Sequence, residues 1–477
     1  MRKLLLIICF LPLVMSMACI YAKVEEVSFD PKESDGFSYI IKEDGTAEIC
    51  SWNNYIGGIF DLSIPESLDG YQVTSINPQA NFSGAETYTI SIPDCLTDIP
   101  KNPFSEIYDL TRIDVSPDHP TMASIDGVLY SKADKRLISY PRAMENTTFQ
   151  VPDGVRTIGD YAFIYSSNLQ SIELPNSLEV IGAHAFENCD LLDVTLPESL
   201  RVVGDYAFSF SHQLQTVTMQ CIGIQIGECA FQPCGSLRAF YASPDDPLLA
   251  SIDGVLYNKV EKCLIDFPAG NGLQSFSVPE GIQTIGSRAF AFCYDLFMVE
   301  LPQSCTSIQK EAFISCESLN SIEFPRTLTS IGDYAFDGCD FSQVRIPESV
   351  IEVGANPFIN CYRLSKVEVS PESGNLATIE NVLFDKQSKK LICYPWELPS
   401  DSYQIPDGIL EIGDSAFPGS GYLDLVEIPD TVAVIEENAL SELYCKIRVT
   451  RDSYAAQYCK EHNLDYEYTD ATSWLNS

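Results

Sequence analysis

The stretch Ile158–Phe163, IGDYAF, decides the fold, because it returns letter for letter at Ile331–Phe336. Four close variants occur elsewhere in the chain: IGAHAF at 181–186, VGDYAF at 203–208, IGSRAF at 285–290 and IGDSAF at 412–417. An active site needs its motif once, whereas a repeated structure needs its motif in every unit. The recurrence therefore indicates a structural unit that is copied many times.

The phenylalanine that ends each copy sets the period of the unit. It recurs at positions 163, 186, 208, 231, 290, 313, 336, 358 and 417, with Phe82 and Phe104 before this series and Leu440 after it. Three longer gaps, from 104 to 163, from 231 to 290 and from 358 to 417, interrupt an otherwise even spacing. The even steps are about 23 residues long, a period that is typical of a leucine-rich-type solenoid.

One complete unit is Leu169–Cys189, LQSIELPNSLEVIGAHAFENC. In its segment SIELP apolar and polar residues alternate, which predicts a strand. Pro175 has no N–H for a ladder and should end that strand. Gly182 suits a tight turn where a Cβ would cost energy, and Phe186 should fill the middle of the coil. A single unit cannot bury its apolar face, so stability should be a sum of interfaces between neighbouring coils.

A longer period is superimposed on the first. Three related inserts begin at a constant interval: ASIDGVLYSKADKRLISYP at 123–141, ASIDGVLYNKVEKCLIDFP at 250–268 and ATIENVLFDKQSKKLICYP at 377–395. Each has an apolar run, a polar turn and a second apolar run, which predicts an added β-hairpin. The chain reads as a tandem duplication of a 127-residue block.

The segment 1–22, MRKLLLIICFLPLVMSMACIYA, has a basic start, an apolar run and small residues at the end. This pattern predicts a secretory signal peptide, cleaved after Ala18 or Ala22. A membrane anchor is the alternative, but the apolar run is short for a bilayer, and no later stretch approaches the ~20 apolar residues of a span. Lipid attachment at Cys19 is a weaker alternative, because the preceding residues fit a lipoprotein signal poorly. We expect a secreted or cell-surface protein without a transmembrane segment.

The ends of the chain differ from the repeats, as solenoid caps should. Residues 37–52 predict a hairpin around Asp44-Gly45. Residues 452–463 predict a short helix capped by Asp452, followed by a closing strand at 464–468. The predicted division is a signal peptide at 1–22, an N-terminal cap at 23–75, a solenoid at 76–446 with inserts near 116–150, 243–277 and 370–404, and a C-terminal cap at 447–477.

The chain is strongly acidic. Its formal net charge is −38, and removal of residues 1–22 makes it −40, because that segment takes Arg2 and Lys3 and no acid with it. Such a surface repels the phosphates of nucleic acids and anionic lipids. We therefore expect cations or basic proteins as partners and no nucleic acid.

Three features together resemble a known family: the IGxxAFxxC core, the DGVLY…LIxYP inserts and the C-terminal SYAAQYCKEHNLDYEY. They resemble the BspA-like, or Treponema pallidum-type, leucine-rich repeat surface proteins over about residues 37–468. The resemblance implies a mainly β, right-handed solenoid with irregular or short helical turns, one strand per ~23 residues and three inserted hairpins. It also implies a secreted or surface protein that adheres to host matrix or microbial surface proteins. It offers no catalytic residues and no cofactor to carry over, and we expect a monomer.

A search for catalytic patterns supports a non-enzymatic protein. None of the four histidines, at 119, 184, 212 and 462, lies in a metal-ligand spacing. No GxSxG elbow or phosphate-binding glycine loop occurs. Carboxylates are so abundant that a glycosidase-like pair could arise by accident. A secreted effector or hydrolase with an unrecognised acidic active site therefore remains the alternative.

Fifteen cysteines follow the predicted signal peptide, and six of them lie three residues after a repeating phenylalanine: Cys189, Cys234, Cys293, Cys316, Cys339 and Cys361. On adjacent coils they would be ~5 Å apart, within reach of a disulfide. The other interpretation is a ladder of buried thiols that fill one corner of the coil. The odd count favours thiols, and the lack of clustered CxxC pairs argues against zinc.

The middle, outward residue of each repeat strand is a candidate partner-binding position. Along the chain these positions are Asp114, Glu173, Thr195, Thr218, Tyr241, Glu300, Glu323, Arg345, Glu368 and Glu427. Six of the ten are acids, and like charges on neighbouring strands cost stability. We therefore predict an acidic face that binds a basic protein segment or divalent cations, with a merely solvated face as the alternative.

The turns of the three inserts carry a second candidate set. Eight basic residues lie there: Lys132, Lys135, Arg136, Lys259, Lys262, Lys386, Lys389 and Lys390. The constant interval between the inserts would place the three turns ~25–30 Å apart at strand spacing. Such a row could bind an anionic polymer by adding weak contacts. Lysines that protect hairpin edges from pairing are the alternative.

Overall fold

A computed structural model describes residues 31–52, 61–83, 85–419 and 422–469. The predicted signal peptide and Cys19 lie outside these residues. The described chain is a solenoid of stacked coils, mainly β with one short helix. Each coil takes about 23 residues, as the spacing predicts. Within these ranges, no helix has the length and apolar character required to cross a membrane.

The first row of strands contains the alternating SIEL segment of each coil. Its strands pair in parallel between successive coils and form six short sheets. Their bounds are Asp61–Ser63, Thr89–Ile92, Arg112–Val115, Thr148–Gln150, Ser171–Glu173, Asp193–Leu196, Thr216–Met219, Ala239–Ala242, Ser275–Ser277, Met298–Glu300, Ser321–Glu323, Gln343–Ile346, Lys366–Val369, Ser402–Gln404, Leu425–Ile428, Lys446–Val449 and Tyr466–Tyr468.

The second row consists of two-residue strands that in eight of ten cases immediately precede the motif glycine, with Gln309 and Glu436 in its place in the other two. These strands also pair in parallel. Their bounds are Thr157–Ile158, Val180–Ile181, Val202–Val203, Gln225–Ile226, Thr284–Ile285, Ser307–Ile308, Ser330–Ile331, Glu352–Val353, Glu411–Ile412 and Val434–Ile435.

A third ladder of backbone bonds runs through the turn that contains the repeated phenylalanine. The N–H of Phe163 donates to the carbonyl of Ala185 at 2.8 Å, and that of Phe186 donates to Ala207 at 2.7 Å. The residue two before each phenylalanine is left-handed in most coils, with φ of 61° at Tyr161 and 56° at His184. The N–H groups of alternate residues, such as Tyr161, Phe163 and Tyr165, therefore donate to the same neighbouring coil, so the turn pairs like a strand without extended geometry.

The phenylalanines stack in columns through the centre of the coils. Ring centroids of Phe163, Phe186 and Phe208 are 4.8 and 5.0 Å apart, close to the spacing of paired strands. Each column begins with the aromatic residue of an insert. Tyr140 stacks on Phe163, and Phe267 and Tyr394 occupy the same position in the later blocks. The predicted spine is therefore present, but it restarts at each insert.

Each insert is a three-stranded antiparallel unit, one strand more than the predicted hairpin. The extra strand comes from the ASI segment, which pairs with the VLY strand instead of remaining a linker. The bounds are Met122–Ile125, Val128–Ser131, Arg136–Ser139, Leu249–Ile252, Val255–Asn258, Cys263–Asp266, Leu376–Ile379, Val382–Asp385 and Lys390–Cys393. The last strand of each insert then pairs in parallel with the next second-row strand.

The inserts divide the hydrophobic core. Leu129 and Ile138 pack in the core before the first insert, whereas Val128 and Leu137 pack in the core after it. The second and third inserts separate their neighbouring cores in the same way. Because alternate residues of a strand point to opposite faces, each insert is a sheet buried on both faces. The described chain consequently has four core segments.

The caps agree with the sequence in outline. The N-terminal hairpin comprises Phe37–Ile41 and Ala47–Trp52, and the same sheet adds the strands Lys32–Ser34, Ser67–Leu68 and Tyr71–Asn81. The C-terminal helix is Tyr454–Glu461. Its predicted cap, Asp452, is wrong: the Ser453 hydroxyl accepts the Ala456 N–H, while Asp452 has a left-handed φ of 60° just outside.

The six cysteines after the spine belong to a column of small hydrogen-bond donors. The Cys316 thiol donates to the carbonyl of Phe290 at 2.9 Å, and Cys189 donates to Phe163 at 3.0 Å. In one coil the Ser211 hydroxyl makes the same bond, to Phe186, at 2.9 Å. Serine replaces cysteine there, so the position does not depend on a disulfide partner. All fifteen cysteines of the described chain are free thiols, and twelve are buried.

The motif glycine is required by the neighbouring coil. Gly182 and Gly332 do not have a left-handed φ, so a tight turn is not the reason for them. A Cβ on Gly332 would lie 2.5 Å from the backbone nitrogen of Lys310 in the preceding coil, and one on Gly182 would lie 2.7 Å from that of Asp160. Atoms at that distance collide, so a methyl group at either glycine would force the coil to shift, although Gln309 and Glu436 are accommodated at the same position of two other coils.

We predict that Gly332→Ala lowers the free energy of unfolding by about 1–3 kcal/mol, because the coil must shift to admit the methyl group. Gly374→Ala is the matched control, since a Cβ there meets no atom within 4 Å and its φ is not left-handed. The control should change stability by less than about 0.5 kcal/mol. Urea denaturation measures both, and equal effects would contradict the close-approach explanation.

We also predict the thiol count. Ellman's reagent should react with at most three cysteines of the native described chain, the half-buried Cys50, Cys95 and Cys445. After unfolding in guanidinium without reductant, all fifteen should react. A smaller number in the unfolded protein would mean that disulfides link the coils.

Candidate binding surfaces

The ten outward strand positions do not form one continuous ladder, because the first row is split into six sheets. Thr195, Thr218 and Tyr241 lie directly beside one another in a neutral group. Asp114 lies beside Ser91, and Glu173 lies beside Gln150. The acidic positions are therefore separated into local environments with different neighbours.

Cations neutralise three of the acids. Glu368 is ion-paired with Lys366 and lies 3.9 Å from the neighbouring Arg345, and its hydrogen bond with Lys366 lowers the pKa of its carboxyl. Glu427 lies 3.5 Å from Arg448 on the next strand. Asp114 is paired with Arg112. These acids resemble ordinary solvated ion pairs, which contribute little energy.

Glu300 and Glu323 have no such compensation. The strand register places them directly beside each other, and no lysine or arginine of the described chain lies within ion-pair distance of either. Glu300 accepts a hydrogen bond from Ser277 Oγ at 2.6 Å. Both glutamates line a groove of about 310 Å³ whose other walls include Met298, Phe324 and Pro325.

The basic residues of the inserts divide into two groups. Lys132 donates through Nζ to the carbonyl of His119 at 2.6 Å, and Lys386 donates to that of Ser373 at 2.6 Å. Lys259 makes the equivalent bond to Asp246. These three lysines occupy the same position in each block, and they hold the insert against the loop before it.

Two further basic residues of the inserts are also engaged. Arg136 pairs with Asp134 and donates to the carbonyls of Pro100 and Ile99. Lys390 bridges Glu411 and Glu436 at 2.9 and 2.7 Å. Burial lowers the pKa of Lys390, but the hydrogen bonds to these glutamates outweigh burial, and the net effect is a raised pKa. Both residues therefore serve the junction between coils.

Lys135, Lys262 and Lys389 remain available. Each is exposed at the end of its turn with a left-handed φ of 56°, 51° or 55°. None is within ion-pair distance of a carboxylate in the described ranges. Because the sequence interval between them is constant, they project from equivalent positions of the three blocks.

The histidines have structural contacts. His184 is stacked between Tyr161 and Tyr206, with centroids 4.7 and 5.1 Å away. The buried His119 accepts the N–H groups of Thr121 and Met122 through Nδ1. Across the residues that the structure describes, no group of three or more His, Cys, Asp or Glu side chains could hold a metal ion.

Sequence reasoning missed an aromatic feature at the inserts. The Arg142 guanidinium lies between the rings of Tyr108 and Tyr165, at 4.1 and 4.5 Å from their centroids. At the third insert, Tyr362 meets Trp396 edge to face at 4.7 Å. The recurrence of tyrosine four residues after the spine phenylalanine, at 108, 294 and 362, was the available signal.

Comparison with known proteins gives a consistent result. The family model of the BspA type leucine rich repeat region, with six copies, matches residues 59–135, 138–246, 267–391 and 393–451. No curated protein matches the chain.

Solved structures of bacterial leucine-rich repeat proteins are similar to this chain at low identity. A leucine rich cell surface protein from Faecalibacterium prausnitzii is 23% identical, with 90% of this chain and 96% of that chain covered and a TM-score of 0.41. The pneumococcal vaccine antigen PcpA is 17% identical, with coverage of 92% and 98% and a TM-score of 0.44. A leucine-rich repeat protein from Bacteroides ovatus is 19% identical, with coverage of 92% and 99% and a TM-score of 0.27.

The family model covers well over half of the chain, and its segments include all the copies of the IGDYAF-like motif, whereas the second insert lies between two segments. The chain belongs to the BspA-type leucine-rich repeat family.

Proposed function

We propose that this chain is a secreted or cell-surface, non-enzymatic binding protein that acts in adhesion or protein–protein interaction through the strand face of its solenoid. Its family supports this proposal, since stacked repeats build extended binding surfaces. The observation that carries it is the uncompensated pair of Glu300 and Glu323 in a surface groove. Adjacent like charges on a sheet reduce stability, and a partner would remove that cost.

The groove specifies the chemistry of the partner. Two carboxylates at strand spacing favour a lysine or arginine side chain, and the apolar walls formed by Met298, Phe324 and Pro325 favour an aliphatic neighbour. A basic protein segment with alternating apolar residues satisfies both requirements. The net charge of the chain would speed the approach of such a segment and make binding sensitive to salt.

We predict that the double variant Glu300→Gln/Glu323→Gln binds a Lys-Leu-Lys-Leu-Lys peptide about fivefold more weakly than the unmodified chain, equivalent to about 1 kcal/mol. The free energy of unfolding should rise by about 0.2–1 kcal/mol, because the repulsion is removed. Fluorescence anisotropy of the labelled peptide measures the affinity, and urea denaturation measures the stability.

The matched control is Asp114→Asn/Glu368→Gln, which removes two charges that are already paired within the chain. It should change peptide affinity by less than about twofold. If both double variants weaken binding equally, only net charge attracts the peptide and the groove is not the site.

The three exposed tip lysines support a second mode of adhesion, to an anionic polymer such as a host glycosaminoglycan or a wall polymer. Lys135, Lys262 and Lys389 present one free ammonium group per block at a fixed interval. A long polymer could contact all three, so weak single contacts would add. The acidic body would limit this binding to low or moderate salt.

We predict that replacing Lys135, Lys262 and Lys389 with Gln reduces the salt concentration needed for elution from a heparin column and leaves the thermal midpoint unchanged. The control replaces Lys132, Lys259 and Lys386 with Gln. It should lower the thermal midpoint, because each of these lysines bonds a loop carbonyl, and it should affect elution less. If the unmodified chain flows through at low salt, the tips do not bind such polymers.

A further inference from the structure

Each insert creates a junction between blocks, and the three junctions are equivalent because the inserts recur at a constant interval. At the first junction, the Tyr140 N–H donates to the Ala162 carbonyl at 2.8 Å. In a regular coil, such a carbonyl accepts the N–H of the spine phenylalanine of the preceding coil, which here is Phe104. The N–H of Phe104 instead donates to Asn102 Oδ1 at 3.0 Å. A junction therefore needs a substitute acceptor.

An asparagine carboxamide closes the first and third junctions. Asn102 Nδ2 donates to the Tyr161 carbonyl at 2.8 Å, and Asn356 Nδ2 donates to that of Ser415 at 2.7 Å. Asn356 Oδ1 accepts from Phe358 at 3.2 Å, as Asn102 does from Phe104. Both asparagines are buried. Each carboxamide thus supplies one acceptor and one donor between two coils.

The second junction is not closed in this way, because Cys229 stands where the other two have asparagine. Gln232 Nε2 replaces the donor and bonds the Arg288 carbonyl at 2.9 Å. The Ala289 carbonyl is taken by Phe267, and no acceptor for the buried Phe231 N–H lies within hydrogen-bond reach in the described chain. A cavity of about 130 Å³ opens at this place.

Asp266 contributes a carboxyl group to the cavity wall. It is only 8% exposed and lines the cavity together with Gln232. The equivalent residues at the other junctions are the buried Ser139 and Cys393, neither of which carries a charge. Burial raises the pKa of Asp266 well above its ordinary value. The groups that face it are the thiols of Cys234 and Cys293, so a neutral acid that both donates and accepts is the form that fits.

The cavity also has an apolar wall and an exposed rim. Ile226, Ala230, Leu256 and Ile265 form the apolar wall, and the exposed Glu228 and Ser287 lie among the lining residues. The cation nearby, Arg288, is already ion-paired with Glu311. An anionic ligand therefore has no free counter-charge, whereas a small neutral group with an apolar end is complementary to the apolar wall.

We propose that this cavity binds an acetamido group, with its carbonyl accepting from the Phe231 N–H, its N–H donating to Asp266 and its methyl group against Leu256 and Ile265. The ligand carbonyl then supplies the acceptor that Asn102 and Asn356 supply in the other junctions, while Gln232 already supplies the donor. The site lies in the spine turns and is distinct from the Glu300–Glu323 groove. Its failure would leave the proposed basic-peptide binding untouched.

An acetamido group can come from an N-acetylated sugar or from an acetylated lysine side chain. Saturation-transfer NMR of the full chain with N-acetylglucosamine and with Nε-acetyl-lysine amide distinguishes them, with glucose and lysine amide as the matched probes that lack the acetyl group. We expect the acetyl methyl protons of at least one probe to receive the strongest transfer, and glucose and lysine amide to give none.

Two variants test the residues. Cys229→Asn places at the second junction the asparagine that the other two junctions have, and it leaves Asp266 unchanged. Binding should weaken at least tenfold, because the asparagine would accept the Phe231 N–H in place of the ligand. Asp266→Ala removes the acceptor and should also weaken binding at least tenfold if Cys229→Asn does not fold, whereas Ser139→Ala at the first junction should not change it. Absence of transfer to both acetylated probes at millimolar concentration, equal transfer to glucose, or unchanged binding by Cys229→Asn or Asp266→Ala would overturn the proposal.

Discussion

Backbone hydrogen bonds from each coil to the next are the interaction on which the rest of the structure depends. They run along the first-row strands, the second-row strands and the spine turns, where the Phe186 N–H reaches Ala207 at 2.7 Å. The bonds set a coil spacing of ~5 Å, and that spacing limits which residues are tolerated at each position. This spacing lets the phenylalanine rings stack and brings thiols and hydroxyls within reach of carbonyls in the preceding coil. It also leaves no room for a Cβ at Gly332. Repetition of the sequence is thus repetition of one interface.

The sequence predicted the parts of the fold that repeat. The repeating coils, the phenylalanine spine, the terminal hairpin and helix, and the family are all confirmed. The predictions of these features are correct because a local pattern that repeats many times leaves little ambiguity about the register. The helix cap was wrong by one residue, since Asp452 and Ser453 are both good capping residues and only the backbone geometry selects Ser453. The extra strand of each insert was missed, because the segment ASI is too short to show a period.

Other features depend on contacts between residues far apart in sequence. The eight basic insert residues look alike in the chain, yet Lys132 bonds a loop carbonyl, Lys390 bridges two glutamates and Lys135 is free. The acidic positions also look alike, but only the register shows that Glu300 adjoins Glu323 while Glu427 adjoins Arg448. Two more features can be recognised only in the stacked coils. Each insert is a sheet buried on both faces between core segments, and the second junction lacks the asparagine that bridges the other two. The proposed binding sites therefore lie where the chain departs from the repeat.

The central claim is that backbone hydrogen bonds between neighbouring coils hold the stack together. Hydrogen exchange of the spine-turn amides tests it most directly, because these residues have the backbone conformation of turns but donate hydrogen bonds to the next coil as strands do. The account predicts that the N–H groups of Phe186, Phe208 and Phe313, which donate to Ala207, Ala230 and Ala335, exchange as slowly as those of the second-row strands. Two-dimensional NMR or fragment-resolved mass spectrometry can compare them with the amides of the insert tips. Exchange of the spine-turn amides as fast as the exposed tips would contradict a stack held by three ladders.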